Sequence, residues 1–212
     1  MIKAIIFDYD GVIVDSFPII HKIYQVICNK LNKKCPSDFN EFKTLYGENS
    51  RKMLRSLGCN DNEISKADLI YKEEINKYSP EFFYGIDNVI IDLSKNYKLF
   101  IVTSNLYTEV INKIKKLNVI DCFTKIIGGD VGPMKKTDVL IKLLNEEKLD
   151  VKEVIMIGDR INDYESAIGA GIKNILLVEY GWGYDINKIP DHKQDIKVEK
   201  PKDLLLAVKS FY

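Results

Sequence analysis

Short apolar runs recur along the chain, and each ends abruptly in a polar residue or a glycine. They are Ala4-Ile5-Ile6-Phe7 before Asp8, Leu99-Phe100-Ile101-Val102 before Thr103, Ile126-Ile127 before Gly128, Val154-Ile155-Met156-Ile157 before Gly158-Asp159, and Ile175-Leu176-Leu177-Val178 before Glu179. An apolar run without alternation suits a strand covered on both faces, as in a parallel sheet flanked by helices. Between the runs, helical spacing predicts helices over Tyr107 to Leu117, Thr137 to Glu147 and Asp163 to Ala170. Strand alternating with helix implies an α/β protein with a Rossmann-like, doubly wound parallel sheet.

Residues 15–83 break this rhythm. His21 to Leu31, Phe39 to Leu45, Ser50 to Leu57 and Ile64 to Tyr78 read as amphipathic helices, with breaks at Pro36, Gly47, Gly58 and Pro80. The simplest organisation is a core made of residues 1–14 and 84–212, interrupted after its first strand by an all-helical insertion of residues 15–83. At 212 residues the chain is long enough for one sizeable core with a small accessory domain.

The chemistry is concentrated at the ends of the apolar runs. Ligands of an open parallel α/β sheet sit in the crevice outside the carboxyl ends of its strands, and Asp8, Thr103 and Asp159 all fall at such ends. Gly11 lets the chain turn sharply after Asp8-Tyr9-Asp10, so that both carboxylates can face one pocket. A second acidic pair, Asp159 and Asp163, follows another buried run. Taken one at a time, Asp10 and Asp163 also fit the blander role of helix cap or turn former. Carboxylates gathered in one crevice repel one another unless a cation neutralises them, and an oxygen-only donor set favours a hard ion, Mg²⁺.

Charge and targeting narrow the partners. Lys plus Arg and Asp plus Glu both number 31, so no net field attracts nucleic acid or an anionic membrane, and neither is expected as a partner. No stretch approaches the roughly 18 apolar residues of a membrane span. The first apolar run is cut by Asp8 and Asp10, unlike the h-region of a signal peptide. Cys28, Cys35, Cys59 and Cys122 have neither CxxC nor metal-site spacing. A cytoplasmic protein, monomer or homodimer, with reduced cysteines is the expectation.

Phe7-Asp8-Tyr9-Asp10-Gly11-Val12-Ile13-Val14-Asp15-Ser16 resembles, almost residue for residue, the first motif of the haloacid dehalogenase-like hydrolases. The likeness is to their phosphoglycolate phosphatase and β-phosphoglucomutase-like branch. Ile101-Val102-Thr103-Ser104-Asn105 resembles the second motif of that branch. Gly158-Asp159-Arg160-Ile161-Asn162-Asp163, continuing through Ala167-Ile168-Gly169-Ala170-Gly171, resembles the fourth. The resemblance implies that residues 15–83 are a helical cap and that the reaction is Mg²⁺-dependent hydrolysis of a small phosphorylated metabolite: phosphoglycolate, a sugar phosphate or a nucleotide. Asp8 would attack phosphorus to form an aspartyl-phosphate. Asp10 would protonate the leaving alkoxide and then deprotonate water. The ion would be held by Asp8, the main-chain carbonyl of Asp10, and Asp159, with Asp163 orienting the site, while Thr103, the Ser104 amide and Asn105 would bind the phosphoryl group.

The third motif departs from the pattern of the branch, because Met134-Lys135-Lys136-Thr137-Asp138 lacks its Lys-Pro pair. Lys136, directly before a helix start, is preferred over Lys135 as the active-site lysine. Arg51 sits where relatives carry cap loops that touch substrate. A mutase of the β-phosphoglucomutase type shares every core motif, and a catalytically silent binding protein on this fold is the alternative from another class. The intact Asp8, Asp10, Thr103 and Asp159 argue against the silent protein.

Overall fold

The computed structural model describes residues 1–46, 50–131, 134–185, 187 and 196–211, and these form two compact units. One comprises Met1–Asp15 with Phe82–Tyr212, the other Ser16–Glu81. Gly47, read from the sequence as a helix break, lies outside the described residues.

The first unit is built on a parallel sheet of β1 (Ala4–Phe7), β4 (Lys98–Val102), β5 (Phe123–Ile127), β6 (Val154–Gly158) and β7 (Asn174–Leu177), in the order β5-β4-β1-β6-β7. Two shorter strands, β2 (Val14–Asp15) and β3 (Glu81–Phe82), stand outside it. Alternation along each strand sends successive side chains to opposite faces, which is why every apolar run is apolar throughout. Ile5, Phe7, Leu99, Ile101, Ile155 and Ile157 join one core, covered by α5 (Ile86–Ser94), α6 (Tyr107–Lys116) and α9 (Leu204–Lys209). Ala4, Ile6, Phe100, Val102, Val154 and Met156 join the other, under α7 (Lys136–Glu147) and α8 (Ile161–Gly169). Helices α5 and α9 have no counterpart in the sequence reading, yet their buried Ile86, Val89, Ile90, Leu204, Ala207 and Val208 close the first core.

The second unit consists of α1 (Phe17–Lys30), α2 (Phe39–Tyr46), α3 (Ser50–Ser56) and α4 (Asp61–Ile75). Helix α1 starts four residues earlier than its periodicity suggests, because Pro18 sits in the first turn, where a missing N–H costs nothing. Asn60 and Glu63 form a reciprocal capping box that starts α4. An aromatic cluster fills the core: Phe42 packs against Phe17 at 5.6 Å and against the His21 ring at 4.5 Å. Among the described residues, no helix is long and apolar enough to cross a membrane.

Candidate active site

Strand β1 is central in the sheet, and its register sets the geometry of the site. Phe7 pairs with Ile101 of β4 on one side and with Ile157 of β6 on the other. The residues just past these strand ends therefore emerge side by side: Asp8 after β1, Thr103 after β4 and Asp159 after β6. The Asp8 N–H donates to the Ile157 carbonyl at 2.8 Å and the Thr103 N–H to the Ile127 carbonyl at 3.0 Å, so the ladder holds each residue at its base.

Asp8, Asp159 and Asp163 are all buried, and each offers a carboxylate oxygen within 4.8 Å of the other two. Lys136, at the start of α7, places its Nζ 2.8 Å from Asp8 Oδ1 and 2.6 Å from Asp163 Oδ1. Lys135 precedes it as the exposed N-cap of the same helix. In the first turn of α8, Asp163 Oδ2 accepts from the main-chain N–H groups of Asp159 and Arg160. Asp163 thus combines the helix-start role with membership of the cluster, joining the β6 end to the lysine.

Burial is the main influence on the acidities, followed by like charge. The Asp8 carboxyl is pushed up to about 7 by burial first, then by the charges of Asp163 and Asp10, while Lys136 pulls it back. Asp159 rises well above the ordinary carboxylate range, again through burial and then the charges of Asp163 and Asp8, against a hydrogen bond from Gly183 and the charge of Arg160. For Lys136, burial opposes the charge most strongly, but Asp163 and Asp8 together raise its affinity for the proton, and it stays an ammonium.

Glycines let the backbone close around Asp159. Gly11 has φ +76°, and a Cβ there would fall 2.0 Å from Asp159 Oδ2. A Cβ on Gly181 would lie 2.2 Å from Asp159 Cβ, and the Gly183 N–H donates to Asp159 Oδ2 at 2.8 Å. The other oxygen, Asp159 Oδ1, is buried and has no hydrogen-bond partner among the described residues. A buried, unsatisfied carboxylate oxygen beside two further carboxylates is what a hard divalent cation would satisfy, so the donor set fits such an ion.

Asp10 and Asn105 meet across the site, with Asn105 Nδ2 donating to Asp10 Oδ2 at 2.7 Å. The Asn105 N–H donates to Thr103 Oγ1 at 3.2 Å. Ser104, between them in the chain, is exposed. The structure thus brings together Asp8, Asp159, Asp163 and Lys136 as one contact group and Asp10, Asn105 and Thr103 as a second, joined through the turn after β1. Arg51 belongs to the helical unit, where its guanidinium pairs with Asp68 at 2.6 Å on an exposed surface.

The sequence reading missed the part played by Gly181 and Gly183 in holding Asp159. The signal was present in Tyr180-Gly181-Trp182-Gly183, two glycines flanking a large aromatic. The Trp182 ring packs under the Arg160 guanidinium at 4.6 Å, and the Tyr180 hydroxyl donates to the Val12 carbonyl.

A family model described as haloacid dehalogenase-like hydrolase matches residues 5–177. The chain is 27% identical over 205 residues to a phosphoglycolate phosphatase of Psychrobacter arcticus, covering 88% of each chain. It is also 27% identical over 231 residues to a glyceraldehyde 3-phosphate phosphatase of Pyrococcus abyssi, covering 99% of this chain and 95% of the relative. Among solved structures, a haloacid dehalogenase-like family hydrolase from Streptococcus pneumoniae superposes with a TM-score of 0.85 at 26% identity, covering 98% of both chains.

Proposed function

Because the chain belongs to the haloacid dehalogenase-like hydrolases, we propose that it is a cytoplasmic, Mg²⁺-dependent phosphatase that hydrolyses a small phosphorylated metabolite through an aspartyl-phosphate on Asp8. One observation carries this reading: three buried carboxylates cluster with the Lys136 ammonium, three acidic groups against one base. The activities named for two relatives, phosphatases acting on phosphoglycolate and glyceraldehyde 3-phosphate, support the substrate class.

Mg²⁺ would be held by Asp8, Asp159, Asp163 and the main-chain carbonyl of Asp10, and when bound it supplies positive charge to the carboxylates and to the phosphoryl oxygens. The rest of the chemistry belongs to the chain itself. The Asp8 carboxylate attacks phosphorus in line, forming an O–P bond as the ester P–O bond breaks. Asp10 gives its proton to the departing alkoxide. In the second step Asp10 takes a proton from water, whose oxygen bonds to phosphorus and releases Asp8. Lys136 favours the ionised form of Asp8 and offsets charge on the transferring group. The Thr103 hydroxyl and the Ser104 N–H bind phosphoryl oxygens, with positioning and charge stabilisation supplying most of the rate.

The test is phosphate release from a panel of phosphorylated metabolites with Mg²⁺, repeated in chelator and with Asp8→Asn. Release that needs both Mg²⁺ and Asp8 is expected. Undiminished release in chelator, or from the variant, would reject the proposal.

A further inference from the structure

The sequence reading gave Asn105 to the substrate's phosphoryl group, but its amide is turned to a different partner. Asn105 Nδ2 donates to Asp10 Oδ2 at 2.7 Å across 95 residues of chain. We propose that Asn105 is a positioning residue for Asp10, fixing one carboxyl oxygen so that the other exchanges the proton with the departing and entering oxygens. The inference rests on the reading of the chain as a phosphatase with Asp10 as its acid and base.

Both ends of this hydrogen bond are anchored. The Asn105 carbonyl accepts from the Gly129 N–H at 2.7 Å, and its own N–H donates to Thr103 Oγ1. The loop after β5 can press this closely only because residue 129 has no side chain: a Cβ there would fall 2.1 Å from the Ser104 carbonyl oxygen. At the next residue, Asp130 Oδ1 accepts from the Tyr107 N–H at 3.1 Å. On the other side, Asp10 lies in a turn closed by Ile13 and Val14 N–H groups donating to the Tyr9 carbonyl and by the Gly11 N–H donating to Val14. The side-chain bond therefore spans two segments that each hold their own shape.

The donor type suits the task. An amide N–H carries no charge to titrate, and it can donate to Oδ2 whether Asp10 is ionised or carries a proton on Oδ1. A cation in its place would favour the carboxylate and oppose the acid half of the cycle. With Oδ2 accepting from Asn105, that oxygen is favoured as the carbonyl of the protonated acid, which directs the transferable proton to Oδ1. It leaves to the alkoxide as the ester P–O bond breaks, and a water proton returns to Oδ1 as the water oxygen bonds to phosphorus and the bond to Asp8 breaks.

The test compares kcat and KM for the wild type, Asp10→Ala, Asn105→Ala and the isosteric Asn105→Asp on p-nitrophenyl phosphate, phenyl phosphate and glycerol 2-phosphate. Loss of Asn105 should lower kcat on glycerol 2-phosphate by about tenfold to a hundredfold, the scale of a misplaced catalytic group. The loss should shrink along the series to p-nitrophenyl phosphate, whose leaving group needs little protonation, with KM little changed. Asn105→Asp, which sets a like charge against Asp10, should do at least as much. In the Asp10→Ala background, Asn105→Ala should have no further effect. A KM increase on every ester, an equal kcat loss across the series, or an additive effect in the double variant would overturn the inference and return Asn105 to the phosphoryl group. If Asp10→Ala itself showed no leaving-group dependence, the acid–base reading would fall and this inference with it. If Asp10→Ala showed that dependence and neither Asn105 variant did, this inference alone would fall.

Discussion

The Nζ of Lys136 stands 2.8 Å from Oδ1 of Asp8. The contact joins the start of α7 to the end of the central strand, and a second one, to Asp163, extends it to α8. Removing one member of a buried ionic cluster leaves the others uncompensated, which typically costs about 3–5 kcal/mol.

Lys136→Met should therefore lower turnover measured with Mg²⁺, and thermal stability measured in metal-free buffer. A kcat loss of about a hundredfold or more is expected from removing a preorganised charge at the reacting group. Lys135→Met, at an exposed cap position, should leave kcat within about twofold and the melting temperature nearly unchanged, as is usual for surface sites. Phosphate-release kinetics and thermal melts of the two variants check this, and equal effects would remove the distinction between the lysines.

A pH dependence follows from Asp8 itself. In the metal-free protein its carboxyl titrates at about 7, raised by burial and then by Asp163, against an ordinary value of 3.8. Between those values the folded state binds more protons than the unfolded chain, so stability falls as pH rises, by about 1.4 kcal/mol per unit for one such group. Asp8→Asn removes this titration while keeping the shape. In chelator, the melting temperature of the variant should gain on the wild type from pH 4 to pH 7 and then level off, and Mg²⁺ should narrow the gap. A gap that does not change with pH would assign the titration elsewhere.

Gly11→Ala should be severe despite its small size. The residue has φ +76°, and the new methyl would meet Asp159 Oδ2 at 2.0 Å. The left-handed conformation alone costs roughly 1–2 kcal/mol with a side chain, and relief of the clash must displace Asp159. The expected result is a fall of about a hundredfold in kcat, together with a higher Mg²⁺ requirement. A variant with normal Mg²⁺ dependence would show that Asp159 tolerates displacement.

The helical unit Ser16–Glu81 has its own aromatic core, and we read it as the specificity element, because under the proposed function the residues gathered in the first unit would act on the reacting phosphoester bond that all such substrates share. Replacing residues 17–81 with a short Gly/Ser linker should leave hydrolysis of p-nitrophenyl phosphate while erasing preference among natural esters. Retention of the parent's preferences would place selectivity in the first unit. Failure to fold would make the helices part of its folding.

Much of the first unit was legible because its signals are local. Each core strand is a short apolar run that can be recognised without knowing its neighbours, and the polar residue ending it marks the carboxyl edge of the sheet. The family motifs around Asp8, Thr103 and Asp159 sit at those edges and stand out for the same reason. Helices α5 and α9 escaped notice because they are short, nine and six residues, and offer few turns over which a pattern can repeat. They become definite only once a sheet face needs covering.

The sequence by itself determined that buried strands end in acids and a threonine, since burying an apolar run and exposing its polar terminus is a property of the run alone. The tertiary structure decided which residues meet. Lys135 and Lys136 are adjacent and chemically identical, and only the phase of α7 against β1 turns one toward Asp8 and leaves the other in solvent. The strand order β5-β4-β1-β6-β7, set by non-local pairing, brings Asn105 to Asp10 across 95 residues and Gly183 to Asp159 across 24. Such contacts depend on register and on the close approach of backbones, and neither is written in any one segment of the chain.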